Sequence, residues 1–178
     1  MSLDNLVDRL QAAADMAAFT TRRGGKNVYL AGGWFSETQE YDLISAYLSL
    51  ANNQDVGNIH VPLLHQYGGS NPIVDGEFKP DQEWATATFL NDVEAINQSD
   101  VVVCLLEASN QDTGTVWESA YAYAIHKPVI MFVDGDVDEN PVNLMPAQSV
   151  THFIDSTDEL SDFPMLFVDK KFYTGKLI

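Results

Sequence analysis

The run Val101-Val102-Val103-Cys104-Leu105-Leu106, the stretch Thr115-Val116-Trp117-Glu118-Ser119-Ala120-Tyr121-Ala122-Tyr123-Ala124-Ile125 and the run Val129-Ile130-Met131-Phe132-Val133 decide the fold. The outer runs are apolar almost without a break, as strands covered on both faces require. The middle stretch reads as a helix, and it is apolar nearly all round, so it is expected to be buried. Outward from this unit the alternation repeats. Val28 to Ala31, Ile59 to Leu63 and Val150 to Ile154 are further short apolar runs, and Glu37 to Ala51 and Asp81 to Gln98 have helical spacing. Alternating strands and helices predict an α/β domain with a doubly wound, five-stranded parallel sheet. Ahead of it, Leu3, Leu6, Val7, Leu10, Ala13 and Ala17 share one face of an extra N-terminal helix, capped by Ser2 and ending near Thr20. The expected division is therefore a helical extension over 1–26 and a single α/β domain over 27–178.

Ligands of such sheets bind beyond the carboxyl ends of the strands. Chemistry is thus expected in Tyr29 to Phe35, Leu64 to Gly69, Glu107 to Thr115 and Asp134 to Met145. Composition narrows what that chemistry is. Nine Lys plus Arg against 26 Asp plus Glu give a net charge of −17, which disfavours nucleic-acid polymers, anionic membranes and polyphosphates. Arg22, Arg23 and Lys26 form the one tight basic cluster. Cys104 is the single cysteine, so no disulfide forms within the chain. Met1-Ser2-Leu3-Asp4-Asn5 shows no basic segment leading into an apolar one, and no run reaches the ~20 apolar residues of a membrane span. A cytoplasmic protein acting on neutral substrates is expected.

Several residues resist a purely structural reading. Gly32-Gly33-Trp34-Phe35 follows the first strand without the spacing or the lysine of a phosphate-binding loop. Trp34 and Phe35 either stack on a flat base or close the core behind a tight turn. Asp92 falls within the apolar stripe Ala85, Phe89, Val93 and Ile96 of its helix, at ~100° per residue. A carboxylate there is costly unless used or hydrogen-bonded, and desolvation favours the protonated form that a general acid needs. Glu118 is the one charge on its helix. Thr115-x-x-Glu118 reads as a capping box, yet an ionised carboxylate held by the positive end of a helix would also suit attack on an anomeric carbon. Asp112 reads either as a turn residue or as a ligand for sugar hydroxyls. The amide of Gln66, beside Tyr67 in the glycine-rich Leu64-His65-Gln66-Tyr67-Gly68-Gly69, reads a base edge or satisfies its own loop. His60, His65, His126 and His152 lack metal-ligand spacing, so no metal site is assigned.

Taken in order, these segments resemble the nucleoside 2-deoxyribosyltransferase family. The resemblance rests on Val28-Tyr29-Leu30-Ala31-Gly32-Gly33-Trp34-Phe35, Val61-Pro62-Leu63 with Gln66-Tyr67, and Trp84-Ala85-Thr86-Ala87-Thr88-Phe89 with Asn91-Asp92. It continues through Asp112-x-Gly114, Glu118-x-x-Tyr121-Ala122, Pro141-Val142-Asn143-Leu144-Met145 and Phe172-Tyr173-x-Gly175. It implies a flavodoxin- or Rossmann-like sheet and transfer of 2-deoxyribose between nucleobases. By the resemblance Glu118 is the nucleophile, oriented by Met145, and Asp92 and Gln66 serve the base. Tyr29, Asp112 and Asn143 surround the sugar and nucleophile, with Asn143 supplied by a neighbouring subunit of a homo-oligomer, a hexamer. The implied partners are 2′-deoxynucleosides and free nucleobases, with no cofactor. The departures are the N-terminal helix and the final Ile178, where the family has Tyr. Alternatives are an N-glycosidase that releases the base to water, and a nucleoside-binding module without catalysis.

Overall fold

The computed structural model of the chain describes residues 3–17, 24–69, 72–74 and 77–178. Helix α1 (Leu3–Ala17) precedes β1 (Lys26–Gly32), α2 (Glu37–Asn52) and β2 (Val56–His60). A two-stranded hairpin of β3 (Ile73–Val74) and β4 (Glu77–Phe78) leads into α3 (Gln82–Gln98). Strand β5 (Val101–Glu107), α4 (Thr113–Ala124), β6 (Val129–Asp134), α5 (Leu144–Ser149) and β7 (His152–Ile154) complete the order. The main sheet has five strands, all parallel, in the order β2-β1-β5-β6-β7. This is the flavodoxin-like doubly wound order. The chain leaves β1 toward one edge and returns on its other side at β5, so the β1/β5 boundary is the switch point where a crevice opens.

Side-chain alternation along the strands sorts the core into two layers. Val28, Leu30, Val103, Leu105 and Ile130 pack with α2 and α1, whereas Tyr29, Ala31, Val102, Cys104, Leu106 and Met131 face the other layer with Ile96 and Ala122. Leu6, Leu10 and Ala13 of α1 join the first layer against Leu43, Ala46 and Leu50 of α2. Arg9 also reaches Glu40 at 3.4 Å. Ser2, Thr20, Arg22 and Arg23, which the sequence reading used to cap and end this helix, lie outside the described residues.

Several boundaries and two elements depart from the sequence reading. Strand β2 stops at His60, and Pro62–Leu64 forms a 3-10 turn, because Pro62 has no amide to continue the ladder. Strand β7 is confined to His152–Ile154, since Leu144–Ser149, not foreseen as a helix, ends at Val150. The hairpin β3–β4 was likewise not foreseen. Helix α4 begins at Thr113 rather than Thr115, with consequences for Glu118 given below.

Packing also corrects two expectations. Of the proposed core stripe on α3 only Ile96 is buried; Phe89 is 50% exposed and Ala85 lies at the surface. Helix α4 is not buried all round. It turns Thr115, Ser119 and Ala122 inward and leaves Trp117 46% and Tyr123 60% exposed.

One buried carboxyl lies outside the crevice. Glu107 and Asp134 are register partners at the ends of β5 and β6, and their strand phase turns them toward α2, where Asp42 is buried. Burial, then Asp134 and Glu107, push the Asp42 carboxyl up to about 7 from 3.8. With the folded value above the unfolded one, the native state binds the extra proton between these limits. Stability therefore falls as pH rises from about 4 to about 7. Asp42→Asn removes this slope. Its melting temperature should match the wild type near pH 4 and exceed it by a growing margin up to neutral pH, as read by thermal melts across the range.

Candidate active site

Tyr29 on β1 and Glu118 on α4 meet across the switch point. Tyr29 is fully buried, and its hydroxyl donates to Glu118 Oε1 at 2.6 Å, a short, charge-assisted length. Burial and the neighbouring Glu118 and Asp92 carboxylates raise the phenol well above its ordinary range, so Tyr29 stays a donor.

The position of Glu118 follows from how α4 starts. Asp112 is the N-cap: its Oδ2 accepts the Thr115 amide and the Thr115 hydroxyl, both at 2.8 Å. The capping box read from Thr115-x-x-Glu118 is therefore not formed. Glu118 stands in the second turn, beyond the first turn in which the helix dipole acts most strongly. The ionised state expected there is opposed by burial as well. Burial pushes the Glu118 carboxyl up to about 8, the Tyr29 hydrogen bond pulls against this, and Asp92 and Asp112 add to the rise. All three carboxylates singled out in the sequence thus lie within electrostatic reach of one another.

Asp92 lies in the middle of α3 and is half-buried, although the stripe around it is not. Its Oδ1 is 3.5 Å from His60 Nε2 at the end of β2. The His60 ring is stacked on Tyr29 at 5.3 Å on one side and on His65 at 4.3 Å on the other. Nothing in the local sequence around His60 marks it for this wall; its place follows from the pairing of β1 with β2, where Tyr29 and His60 are register partners. Asn91 ties α3 to the loop by donating to the His65 carbonyl at 2.8 Å. In that loop Gly68 and Gly69 hold φ near +70°, which only glycine adopts without strain. Gln66 is buried with its Oε1 unpartnered.

At the end of β1, a side chain on Gly33 would meet Gln39 Oε1 at 2.5 Å and Asp112 Cβ at 3.3 Å. Gln39 cannot easily yield, because it accepts from the Phe35 amide and donates to the Asn110 carbonyl. Gly33 is thus fixed by the close approach of the β1 and β5 loops. The two aromatics after it divide the alternatives: Trp34 packs against the core, and Phe35 is 70% exposed.

Asn143 caps α5 by accepting from the Met145 amide at 2.9 Å, and Met145 is 71% exposed. Met145 lines a groove with Val116, Ala120 and Tyr123 of α4. Helical phase sets Glu118 about 200° round α4 from Val116. Within one chain, therefore, Met145 does not orient Glu118. The last residues return to this region: Ile178 donates to the Val142 carbonyl at 3.1 Å and accepts from the Leu144 amide at 3.0 Å.

An α/β sheet with a hydroxyl-bonded carboxyl at its switch point and two more carboxyls nearby is the frame of a glycosyl-transferring enzyme, and comparison with known proteins makes this specific. Residues 28–145 match the nucleoside 2-deoxyribosyltransferase family model. The chain is 30% identical over 152 residues to the nucleoside deoxyribosyltransferase of Lactobacillus leichmannii, covering 84% of this chain and 96% of that one. It is 34% identical over 142 residues to that of Limosilactobacillus fermentum, covering 76% and 84%. The solved 2-deoxyribosyltransferase of Bacillus psychrosaccharolyticus superposes with a TM-score of 0.67 at 28% identity, covering 83% of this chain and 98% of its own. The chain belongs to the nucleoside 2-deoxyribosyltransferase family. It is an enzyme, a pentosyltransferase whose reaction is deoxyribosyl transfer. Among the described residues no helix is long and apolar enough to cross a membrane.

The geometry sets a titration. The Glu118 carboxyl, followed by carbon-detected NMR, should titrate with a midpoint near 8. Tyr29→Phe removes the hydrogen bond that favours the ionised form, so the midpoint should move upward. A midpoint that stays put or falls would mean that the phenol does not bond the carboxylate.

Proposed function

We propose that the chain exchanges the base of 2′-deoxynucleosides by double displacement, with Glu118 as nucleophile and a deoxyribosyl–Glu118 ester as intermediate. The observation that carries this is the 2.6 Å bond from the buried Tyr29 hydroxyl to Glu118 Oε1 at the switch point. That bond aims the carboxyl and stabilises the fraction that is ionised. In the first step Glu118 forms a bond to C1′ while the C1′–N bond breaks. Its electron pair goes to the base, which takes a proton from Asp92. In the second step a nitrogen of the incoming base attacks C1′, returns its proton to Asp92 and frees Glu118. Two inversions give net retention. No cofactor or metal enters either step. Lack of an electron-withdrawing 2′-hydroxyl makes the oxocarbenium-like transition state easier to reach.

The remaining assignments follow the same frame. The unpartnered Gln66 Oε1 suits an amino group on the base edge, and the exposed Phe35 ring suits its flat face. Asp112 keeps Oδ2 for its cap, leaving Oδ1 for a sugar hydroxyl; Gly33 admits the sugar close to the backbone. The active form is a homo-oligomer, a hexamer, in which Asn143 and Met145 of one copy complete the Glu118 site of another. The groove of Val116, Ala120, Tyr123 and Met145 on the side of α4 away from Glu118 supports a second copy there. Residues 1–26 form an extension to a domain over 27–178, which is supported by a family match beginning at residue 28.

Glu118→Ala should abolish exchange between deoxyinosine and adenine while the fold, read by circular dichroism, persists. Without an acceptor base the wild type should accumulate a deoxyribosyl adduct on the Glu118 peptide, visible by mass spectrometry. Near-normal exchange by the alanine variant excludes Glu118 as nucleophile, and steady release of free base to water would make the enzyme a glycosidase.

Asp92→Asn should slow transfer by about 10²–10⁴, the usual contribution of a general acid–base group, with little change in nucleoside binding. The loss should shrink for a donor whose base is already cationic, such as 7-methyl-2′-deoxyguanosine. Sedimentation of an active monomer at assay concentration would refute the shared site.

A further inference from the structure

Among the described residues, four buried side-chain polar atoms lack a hydrogen-bond partner: His60 Nε2, Gln66 Oε1, Asp92 Oδ1 and the Tyr173 hydroxyl. Two of them face each other, since His60 Nε2 lies 3.5 Å from Asp92 Oδ1. That separation is too long for a strong hydrogen bond, and a closure of about 0.5 Å would satisfy both atoms at once. Donor–acceptor pairs of active sites are commonly long in the free enzyme and tighten around substrate.

The two partners are not equally free to move. The His60 ring is clamped between Tyr29, nearly parallel at 11°, and His65, at 21°. Asp92 hangs from a helix whose neighbouring turns are largely at the surface, and its side chain is 19% exposed. The carboxyl moves to the imidazole, then, rather than the reverse.

Resting on the reading of Asp92 as the acid, we propose that His60 is a positioning residue that orients the Asp92 carboxyl for proton transfer. With its proton on Nε2, His60 donates to Asp92 Oδ1 when substrate fills the site. An oxygen that accepts this bond is a poor place for the carboxyl proton, which is therefore held on Oδ2, toward the departing base. The same ring braces Tyr29, so one stacked wall fixes both the donor to Glu118 and the orientation of Asp92. His60 touches neither sugar nor base.

The test uses the full-length chain and the two donors that probe Asp92, deoxyinosine and 7-methyl-2′-deoxyguanosine, with adenine as acceptor. His60→Phe keeps a flat ring in the stack and deletes the donor; His60→Gln keeps an N–H donor and gives up the ring. With deoxyinosine, His60→Phe should lower kcat by about tenfold, less than the ~10² or more expected for loss of the acid itself, at nearly unchanged KM. With the cationic donor the loss should nearly vanish. His60→Gln should recover part of the rate, which sets donation apart from packing. In an Asp92→Asn background His60→Phe should cost nothing further, because the bond it removes no longer orients a proton. Equal losses for both donors, or a full additional loss in the Asp92→Asn background, would overturn the proposal and leave His60 as a packing residue. Should Asp92→Asn itself lose equally with both donors, the reading of Asp92 as acid fails, and that outcome is visible before any His60 variant is measured.

Discussion

A carboxyl inside a protein must either be neutral or have its charge met by hydrogen bonds, because desolvation opposes the ionised form. Glu118 sits under that constraint, and the arrangement around it reads as the response. Among the described residues the Tyr29 hydroxyl at 2.6 Å is its one close side-chain donor, and Asp92 and Asp112 make ionisation harder rather than easier. The donor comes from β1 and the carboxyl from the helix after β5, so the pair exists only where these strands are neighbours. The doubly wound order makes them neighbours at the point where the chain reverses direction across the sheet.

The loops beyond the strands are held by the same economy of polar contacts. Ser36 caps α2, Asp112 caps α4 and Asn143 caps α5, each with its own side-chain oxygen. Ser36 also donates to Glu107 at 2.6 Å, and Gln39 bridges the loop after β1 to the loop after β5 through the Asn110 carbonyl. Gly33 is squeezed between Gln39 and Asp112 at this junction. Residues that stop or start a helix therefore also set the walls of the crevice. Asp112 shows the coupling most directly: capping α4 from outside moves the helix start back by two residues and carries Glu118 into the second turn. A carboxyl shielded from the first-turn amides is harder to ionise, which leaves its charge state to Tyr29.

The apolar surface has its own logic. The exposed Trp117, Tyr123 and Met145 lie on α4 and α5, and Phe89 lies on α3 within an apolar stripe. Periodicity in a sequence reports that a face is apolar; it does not report what covers it. For Ile96 the cover is the sheet, whereas Phe89, at the other end of the stripe, meets the ring of the exposed Trp117 at 5.5 Å and stays 50% exposed. Asp92 was singled out by its place on that stripe, and its burial has a different origin, the His60 ring and the wall behind it.

By itself the sequence determined the five parallel strands, the helices α2, α3 and α4 between them, the carboxyl-end segments where chemistry belongs, and Glu118, Asp92, Asp112 and Tyr29 as the residues to watch. These were legible because strand and helix periods, and ordered motifs, are properties of neighbouring positions. Only the tertiary structure decided the state and partners of those residues. Tyr29 and Glu118 are 89 positions apart, and His60 meets Asp92 from a different strand and helix. The buried Asp42 meets Glu107 and Asp134 only after β5 and β6 pair. Protonation depends on burial and on charges within a few ångströms, and both are set by which elements pack together, a relation that no local pattern in the chain records.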